Sequence, residues 1–477
     1  MISQSHRTAD LAYPASWAHS AFRSAAAVLG FAVVYFALYA HTRTISHLLL
    51  GETMLVLSAL PSLFWARRGR PHLPIFETFL LTFVNAYALP LLNGHTALAV
   101  YTDDQLTTAT VAVITFQVAA LLAHEAARGR ALTSPFWREE IVSKSVSPWL
   151  NYGMALNTLY LFASTFMSVI PPAAGSVLRA IFFGIGIICT FITSRRFARQ
   201  ELSPSERVFF ISNLVLQCVI MITSLFLVGA LSQLLLALVG YTSTRGRLPW
   251  IACIVGLVCF AILHNGKAAM REKYWGKDES RIPEVSQLPR YFAEWIQQGL
   301  RFGHEDEDDQ RITRKLIERT SLFHIMCLVT SLSPEPLPYL EGETYKDIPG
   351  QLVPRLFWPS KPPAHVSTSK LSVYYGLQSE EDTQKTTIGF GVVSEAYANF
   401  GFWGLALVGA AIGFVTKKIR CWSSETPLLS YGGLLMVIFL AWSFQIEFTA
   451  SIWLSSFYQA SIAVLAVPFM LRKALGQ

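Results

Sequence analysis

The residues best suited to chemistry lie late in the chain, between positions 319 and 401. Glu395 and Asn399 are four residues apart in a segment with helical spacing, so they share one face of a helix. Glu395 lies among apolar and aromatic residues, where an unpaired carboxylate is costly. Two interpretations follow. Glu395 forms an ion pair with Arg355 or Arg319 that fastens this segment to its surroundings, or the same charges surround a substrate.

A proline-rich run precedes the Glu395 segment. Four prolines between positions 354 and 363 make it extended and stiff, so Arg355, Trp358 and Lys361 are held in a rigid piece of backbone. Farther upstream, Arg319 precedes an apolar helix of about 13 residues, which is too short to span a bilayer and is expected to be re-entrant or buried. Arg319 is then either an anchor whose charge reaches water or a residue that faces a cavity and binds an anion.

An acidic run at 305–309 contains Asp306, Glu307 and Asp308, which formally match an Asp-x-Asp metal-binding pattern. No apolar strand precedes the run, and five successive acids usually form a solvated stretch. The six cysteines show no spacing typical of a disulfide pair or a metal site. The sequence therefore predicts no metal and no cofactor.

The elements that position these residues are membrane helices. The 477 residues are 52% hydrophobic and only 14% charged, against about 25% charged in soluble proteins, which excludes a soluble enzyme. Apolar runs of about 20 residues recur, each long enough to cross about 30 Å of hydrocarbon. The sequence predicts an all-α polytopic integral membrane protein with about 12 transmembrane helices, at roughly 24–41, 46–66, 73–92, 105–124, 147–168, 176–194, 208–224, 226–241, 248–264, 403–416, 428–447 and 452–470.

Basic residues set the predicted orientation. As one helix, the 34-residue stretch from Val208 to Tyr241 would be about 50 Å long, and arginines flank both ends, so the positive-inside rule predicts a hairpin of two short helices. Both termini are then cytoplasmic, the N-terminus is an uncleaved signal anchor, and segment 265–402 is external. That segment holds 16 Lys and Arg against 19 acids, so the net charge of +7 belongs to cytoplasmic anchors and gives little support to a nucleic-acid partner.

Three parts of the chain follow from this topology. Residues 1–264 form a membrane bundle of about nine helices, 265–402 form one large external loop between helices 9 and 10, and 403–477 form about three further helices. A connection this long is usually functional. Within it, the segment from Leu288 to Phe302 has amphipathic spacing, which fits a helix in the plane of the membrane interface or one that packs the loop onto the bundle.

Three short runs in this loop form an ordered set. They are Gly-Glu-Thr-Tyr at 342–345 (the first motif), Pro-Arg-Leu-Phe-Trp-Pro-Ser-Lys-Pro at 354–362 (the second motif) and Glu-Ala-Tyr-Ala-Asn-Phe-Gly at 395–401 (the third motif). Together with the topology they resemble the bacterial O-antigen and exopolysaccharide repeat-unit polymerases, the Wzy-type family. The motif resemblance covers about 319–404. The chain departs from relatives with arginine-and-glycine patterns in two external loops, since its earlier external loops are short and nearly free of arginine.

The resemblance implies a metal-independent glycosyltransferase of the bacterial inner membrane, with a membrane-embedded helical bundle and the large loop in the periplasm. Donor and acceptor would be oligosaccharides on polyprenyl diphosphate in the lipid bilayer, and a chain-length regulator and a flippase would be further partners. Two alternatives stay open. A transporter or flippase of lipid-linked glycans would also have about 12 spans, but should show internal repeats and charged residues within several helices. A ligase-like transferase would differ only in its acceptor.

The residue types suit this chemistry. Negative charge develops on a diphosphate leaving group, and Arg or Lys stabilises it without a metal; the candidates are Arg355, Lys361 and Arg319. The acceptor hydroxyl needs a base or an orienting acceptor, for which Glu395 is the first choice and Glu343 the second. The remaining candidates are aromatic residues that stack on sugars, histidines that carry protons, and one amide: Tyr345, Trp358, Tyr397, His324, His365 and Asn399.

Overall fold

The computed structural model describes residues 15–68, 73–138, 147–167, 172–245, 248–274, 282–300, 321–353, 358, 360–385, 387–423, 426–428 and 430–474. These residues form helices and turns, and no strand occurs among them. The α-helices are α1 (Ala15–Tyr39), α2 (Ile45–Arg67), α3 (Ile75–Phe83), α4 (Leu89–Leu92), α5 (Asp103–Ala126), α6 (Pro135–Arg138), α7 (Ser147–Phe166), α8 (Pro172–Ala198), α9 (Pro204–Ile222), α10 (Leu227–Arg245), α11 (Trp250–Tyr274), α12 (Leu288–Leu300), α13 (Leu322–Leu332), α14 (Ile348–Gln351), α15 (Val366–Tyr374), α16 (Glu380–Lys385), α17 (Gly391–Trp422), α18 (Tyr431–Ser443) and α19 (Ala450–Ala474).

Several helices have the length and composition of membrane spans. Nine qualify among the described residues: Phe22–Tyr39, Ile45–Arg67, Ile75–Leu92, Asp103–Ala126, Ile181–Ala198, Pro204–Ile222, Leu227–Arg245, Trp250–Lys267 and Gly391–Trp422. This agrees with the coarse prediction of a multi-pass helical membrane protein. The other three predicted spans coincide with α7, α18 and α19, which are not among the nine. The count of 12, the sidedness and the single large loop stay predictions.

The chain forms two compact units. The first unit comprises Met1–Ile141 and Ile317–Gln459, and the second comprises Val142–Leu316 and Ala460–Gln477. The boundary near residue 316 falls inside the predicted external loop. The early part of that segment therefore belongs to the second unit, and all three motifs belong to the first.

Close contact between α5 and α17 fixes the helix that carries the third motif. A Cβ added at Gly409 would lie 2.6 Å from the carbonyl oxygen of Phe116, and one added at Gly413 would collide with the carbonyl oxygen of Ala120. Glycines four residues apart let two membrane helices approach to backbone contact. As a result α17 lies directly on the backbone of α5.

Helix α13 is the short apolar helix that the sequence predicts to be re-entrant or buried, and it is buried. It packs against α5 and α17, and its side chains from Leu322 to Cys327 belong to the core. Its first turn is capped by Ser321, whose hydroxyl accepts the N–H of His324 at 3.2 Å. The ring Nδ1 of His324 lies 3.2 Å from the hydroxyl of Tyr101, so this candidate proton carrier already has a partner in the core.

Two predictions about the second unit can be compared with its helices. The stretch from Val208 to Tyr241 is interrupted between α9 and α10, which pack on each other, so the predicted hairpin is confirmed. Helix α12 packs on α11. Its Trp295 is buried and donates from Nε1 to the carbonyl oxygen of Leu263 at 2.8 Å. These contacts agree with the interpretation that this amphipathic segment packs onto the bundle.

Candidate functional site

The candidate site is built around a break in α17. Phe400 (φ −142°, ψ 16°) and Gly401 (φ 58°, ψ −142°) leave the helical conformation. A helix end leaves backbone carbonyls without intrahelical partners, and a neighbouring segment supplies them. The N–H groups of residues 340 and 341 donate to the carbonyls of Ala398 and Asn399 at 2.9 and 3.1 Å. The break therefore frees the backbone carbonyls that bind residues 340 and 341, immediately before the first motif.

The side chain of Asn399 fastens the first motif to the third. Its Oδ1 accepts the N–H of Gly342 at 3.0 Å. Its Nδ2 donates to the hydroxyl of Thr344 at 2.8 Å and to the carbonyl oxygen of Glu395, one turn earlier, at 2.8 Å. Asn399 is fully buried, so water does not compete for these hydrogen bonds. Two motifs that are over 50 residues apart in the sequence are thus brought together by one amide.

Asn399→Ala should release the first motif from α17. The change leaves the Gly342 N–H and the Thr344 hydroxyl without their buried partner, at a cost of about 1 to 3 kcal/mol per unsatisfied group. Hydrogen exchange of the amides at 340–344 should accelerate. Asn265→Ala is the control, since it removes one partly buried hydrogen bond in the second unit; it should leave exchange at 340–344 unchanged. Equal exchange in both variants would contradict the role of Asn399.

Glu395 is fully buried and is bound by the beginning of α19. Its Oε2 accepts the N–H of Ala450 at 2.6 Å, one of the donors that a helix start leaves without an internal partner. Its Oε1 is buried and has no hydrogen-bond partner in the described part of the chain, although the Thr344 hydroxyl is near enough to interact with the carboxylate. A buried oxygen with open hydrogen-bonding capacity requires a water molecule or a ligand.

Tyr345 provides a second buried polar atom of this kind. Its hydroxyl is buried and has no hydrogen-bond partner within the described ranges. Burial, and then the charge of the nearby Glu395, raise the pKa of the Tyr345 phenol, so the phenol stays protonated and can donate. Its ring stacks on Phe400, with ring centroids 6.4 Å apart. The carboxylate of Glu395 and the phenol of Tyr345 form the centre of the candidate site.

Hydroxyl groups hold the beginning of α19 in place. The hydroxyl of Thr449, just before α19, lies 3.0 Å from that of Ser367 and 3.1 Å from that of Thr368, and all three residues are buried. The N–H of Gly391, at the start of α17, donates to the carbonyl oxygen of Glu447 at 3.0 Å. Helices α15 and α17 therefore both fix the turn that presents a backbone N–H to the Glu395 carboxylate.

Lys361, a predicted cation for the leaving group, is buried in its own loop. Its ammonium donates to the carbonyl oxygens of Val353 at 2.7 Å and Gln351 at 3.1 Å. These bonds tie the second motif to the end of α14 and give Lys361 a positioning role. Its predicted contact with a diphosphate stays a prediction.

Glu343, the second-choice base, is part of an exposed ion-pair network. It pairs with Lys346 and with Lys370 at 3.3 Å, and Lys370 also pairs with Asp347 at 3.0 Å. Hydrogen bonds from Lys346 and Lys370 lower the pKa of the Glu343 carboxyl. A carboxylate with a lowered pKa and two ammonium partners is a weaker base than the partly unpaired carboxylate of Glu395.

The other predicted binding residues lie in different surroundings. Tyr397 is buried among aromatic rings, with its centroid 5.9 Å from that of Tyr339. Trp358 is 41% exposed, so part of its indole is accessible to a ligand. His365 is half-buried at the residue before α15. Of these three, only Trp358 offers an exposed ring surface of the kind that stacks on a sugar.

Two predicted catalytic residues, Arg319 and Arg355, lie outside the described residues, as does the acidic run at 305–309. The proposed ion pair between Glu395 and either arginine therefore stays a prediction. Within the described residues, no group of three or more His, Cys, Asp or Glu side chains is arranged to hold a metal ion. Comparison with protein-family models, curated proteins and solved structures found no match to this chain.

Several groups that contribute to the site are not predicted by the sequence. The main partner of Glu395 is the backbone N–H of Ala450, and any residue type except proline can supply such a group. Thr449 carried a usable signal, because threonine is favoured just before the first turn of a helix. Thr344 lies inside the first motif, but its hydrogen bond with Asn399 can be recognised only in the folded structure.

Proposed function

We propose that this protein is a membrane glycosyltransferase that joins polyprenyl-diphosphate-linked repeat units into a longer glycan. The observation that carries the proposal is the pair of buried groups at Glu395 and Tyr345, each with open hydrogen-bonding capacity. A sugar hydroxyl matches this pair, since it donates one hydrogen bond and accepts others. The pair suits an acceptor hydroxyl that must lose its proton as a glycosidic bond forms.

In the proposed reaction, Glu395 is the base. The acceptor oxygen forms a bond to the anomeric carbon of the donor sugar, the bond from that carbon to the diphosphate breaks with its electron pair on the diphosphate, and the acceptor proton passes to Oε1 of Glu395. The hydrogen bond from Ala450 occupies Oε2 and so orients the carboxyl group. The phenol of Tyr345 donates to the acceptor oxygen. Arg355 and Arg319 are the proposed cations for the leaving diphosphate.

The surroundings of the site support a lipid-linked substrate. Glu395 lies in the short segment Gly391–Phe400, which the break joins to the rest of α17, and α17 as a whole has the length and composition of a membrane span. At the break in that helix, Phe400, Phe402 and Trp403 are 42%, 39% and 80% exposed. Tryptophan at the end of a membrane helix is typical of the bilayer surface, so Trp403 is the residue that indicates this level. A substrate anchored by a polyprenyl chain reaches a site at this level by diffusion within the membrane.

The proposal is tested with purified protein and a synthetic polyprenyl-diphosphate repeat unit. A ladder of longer products, with release of the lipid diphosphate, is the expected result. Failure to elongate a matched repeat unit would overturn the proposal. A product transferred only to a different lipid or to a protein would instead identify a ligase.

Analysis of glycan in a host that lacks this protein separates the enzyme from a transporter. Surface glycan limited to single repeat units is expected for loss of a polymerase. Accumulation of the lipid-linked precursor on the cytoplasmic side would contradict the proposal and indicate a flippase.

The arginine assignments are tested in the ladder assay with the synthetic repeat unit, in which Arg355→Ala should abolish elongation while membrane insertion is retained.

A further inference from the structure

A group of three cations occupies the opposite end of α17 from the candidate site. Arg68 caps the end of α2, and Lys417 and Arg420 lie in the last turns of α17; we call these three residues the basic cluster. Lys417 is close enough to interact electrostatically with both arginines. The uninterrupted part of α17 from Phe402 to Lys417 alone is about 22 Å long, and Glu395 lies beyond the break at its other end. Whatever the basic cluster binds is therefore independent of the proposed transferase site.

The cations of the basic cluster differ in their partners. The guanidinium of Arg68 makes two hydrogen bonds to the carboxylate of Glu125, at 3.1 and 2.7 Å. Lys417 has no hydrogen bond or ion pair with any described residue, and Arg420 has no hydrogen-bonded acid there. One further acid, Glu77, is buried and interacts electrostatically with Arg420 and Arg68. The cluster thus keeps positive charge beyond what its described acids neutralise.

A neutral histidine positions Arg420. The Nδ1 atom of His124 lies 3.2 Å from the carbonyl oxygen of Gly413. Because a carbonyl oxygen only accepts, this contact places a proton on Nδ1, and because the guanidinium of Arg420 only donates, Nε2 must be the unprotonated acceptor. Nε2 faces Arg420 at 3.4 Å, and the ring is held by stacking on Phe76 with centroids 4.0 Å apart. Arg420 is therefore oriented by a group that leaves its charge in place.

We propose that Lys417 and Arg420 form a binding site for a phosphate-bearing anion. The guanidinium of Arg420 offers a planar pair of donors that fits phosphate oxygens, and the Lys417 ammonium adds a point charge. Basic pockets at the ends of membrane helices bind anionic headgroups in this way. Positive charge that served topology alone would not require a buried, stacked imidazole to orient one guanidinium. The anion is either the headgroup of an anionic phospholipid or a free phosphate.

The test uses the full-length protein, purified in detergent and stripped of lipid. Binding of phosphatidylglycerol and of phosphatidylcholine in nanodiscs, and of inorganic phosphate in solution, is measured with wild type and with the double variant Lys417→Gln/Arg420→Gln. Wild type should prefer phosphatidylglycerol over phosphatidylcholine, and the double variant should bind it about twentyfold more weakly. Binding of inorganic phosphate in solution would identify a free anion as the ligand. Binding of phosphatidylglycerol without binding of inorganic phosphate would identify a lipid headgroup. Binding of none of these anions by wild type would overturn the proposal.

Two single substitutions separate a defined site from diffuse attraction. Lys418→Gln removes one neighbouring charge whose ammonium already donates to the carbonyl oxygen of Arg128 at 2.7 Å, and it should leave binding nearly unchanged. Arg420→Lys keeps the charge but loses the planar pair of donors, and it should weaken binding several-fold. Equal losses in Lys418→Gln and in the double variant, or unchanged binding in Arg420→Lys, would overturn the proposal. The Arg420→Lys result decides the question if the double variant does not fold.

Discussion

Glu395→Gln is expected to slow glycan elongation by about a hundredfold or more, because it removes the proposed base. The substitution keeps the shape of the side chain. The glutamine carbonyl oxygen can still accept the Ala450 N–H, which Oε2 of Glu395 binds at 2.6 Å. The beginning of α19 should therefore stay in place, and the variant should insert and purify like wild type. The measurement is the rate of ladder formation from a synthetic lipid-linked repeat unit.

Glu343→Gln is the matched control, since it removes the other candidate carboxylate of the same region. Glu343 is half-exposed and paired with Lys346 and Lys370, and exposed ion pairs contribute only about 0 to 1 kcal/mol. Its elongation rate should stay within about fivefold of wild type, given the factor of ten per 1.4 kcal/mol. If Glu395→Gln elongates near the wild-type rate, Glu395 is not the base. If only Glu343→Gln fails, the two assignments must be exchanged.

The sequence predicts those parts of the fold that depend on hydropathy and charge. Arginines on both sides of the stretch from Val208 to Tyr241 predict its division into two helices, and α9 and α10 confirm it. The short apolar run of α13 predicts a helix that does not span the membrane, and it is buried. The boundary near residue 316 had no such signal. It depends on which helices pack together, and hydropathy carries no information about that choice.

The sequence predicts those parts of the candidate site that depend on the spacing of residues within one helix. Glu395 and Asn399 do share one helix, and Asn399 meets the first motif. One interpretation gave Glu395 an arginine partner, which lies outside the described residues, and the partner that the structure describes is a backbone N–H 55 residues later. A sequence pattern shows side chains but not free backbone donors, so this contact could not be foreseen. Lys361 shows the converse, because its charge suggested a ligand contact and its ammonium meets carbonyl oxygens within its own loop.

Gly401→Ala is expected to destabilise the first unit by about 3 kcal/mol or more. Gly401 has φ 58° and ψ −142°, a conformation that is essentially restricted to glycine. An added Cβ would also lie 2.5 Å from the hydroxyl and 2.7 Å from Cζ of Tyr339. Tyr339 cannot easily move aside, since its ring packs edge-on against the buried Tyr397. Thermal unfolding of the purified protein in detergent should show a lower midpoint.

Gly376→Ala separates the two causes. Gly376 also has a positive φ, +70°, but an added Cβ there meets nothing within 4 Å, so that variant should lose only about 1 to 2 kcal/mol. A similar loss in both variants would mean that Tyr339 yields and that the collision contributes little. A larger loss at Gly401 would show that the break in α17 needs glycine both for its backbone conformation and for the space that Tyr339 fills. Since the same break exposes the carbonyls that bind residues 340 and 341, hydrogen exchange at those amides should accelerate in Gly401→Ala and remain slow in Gly376→Ala.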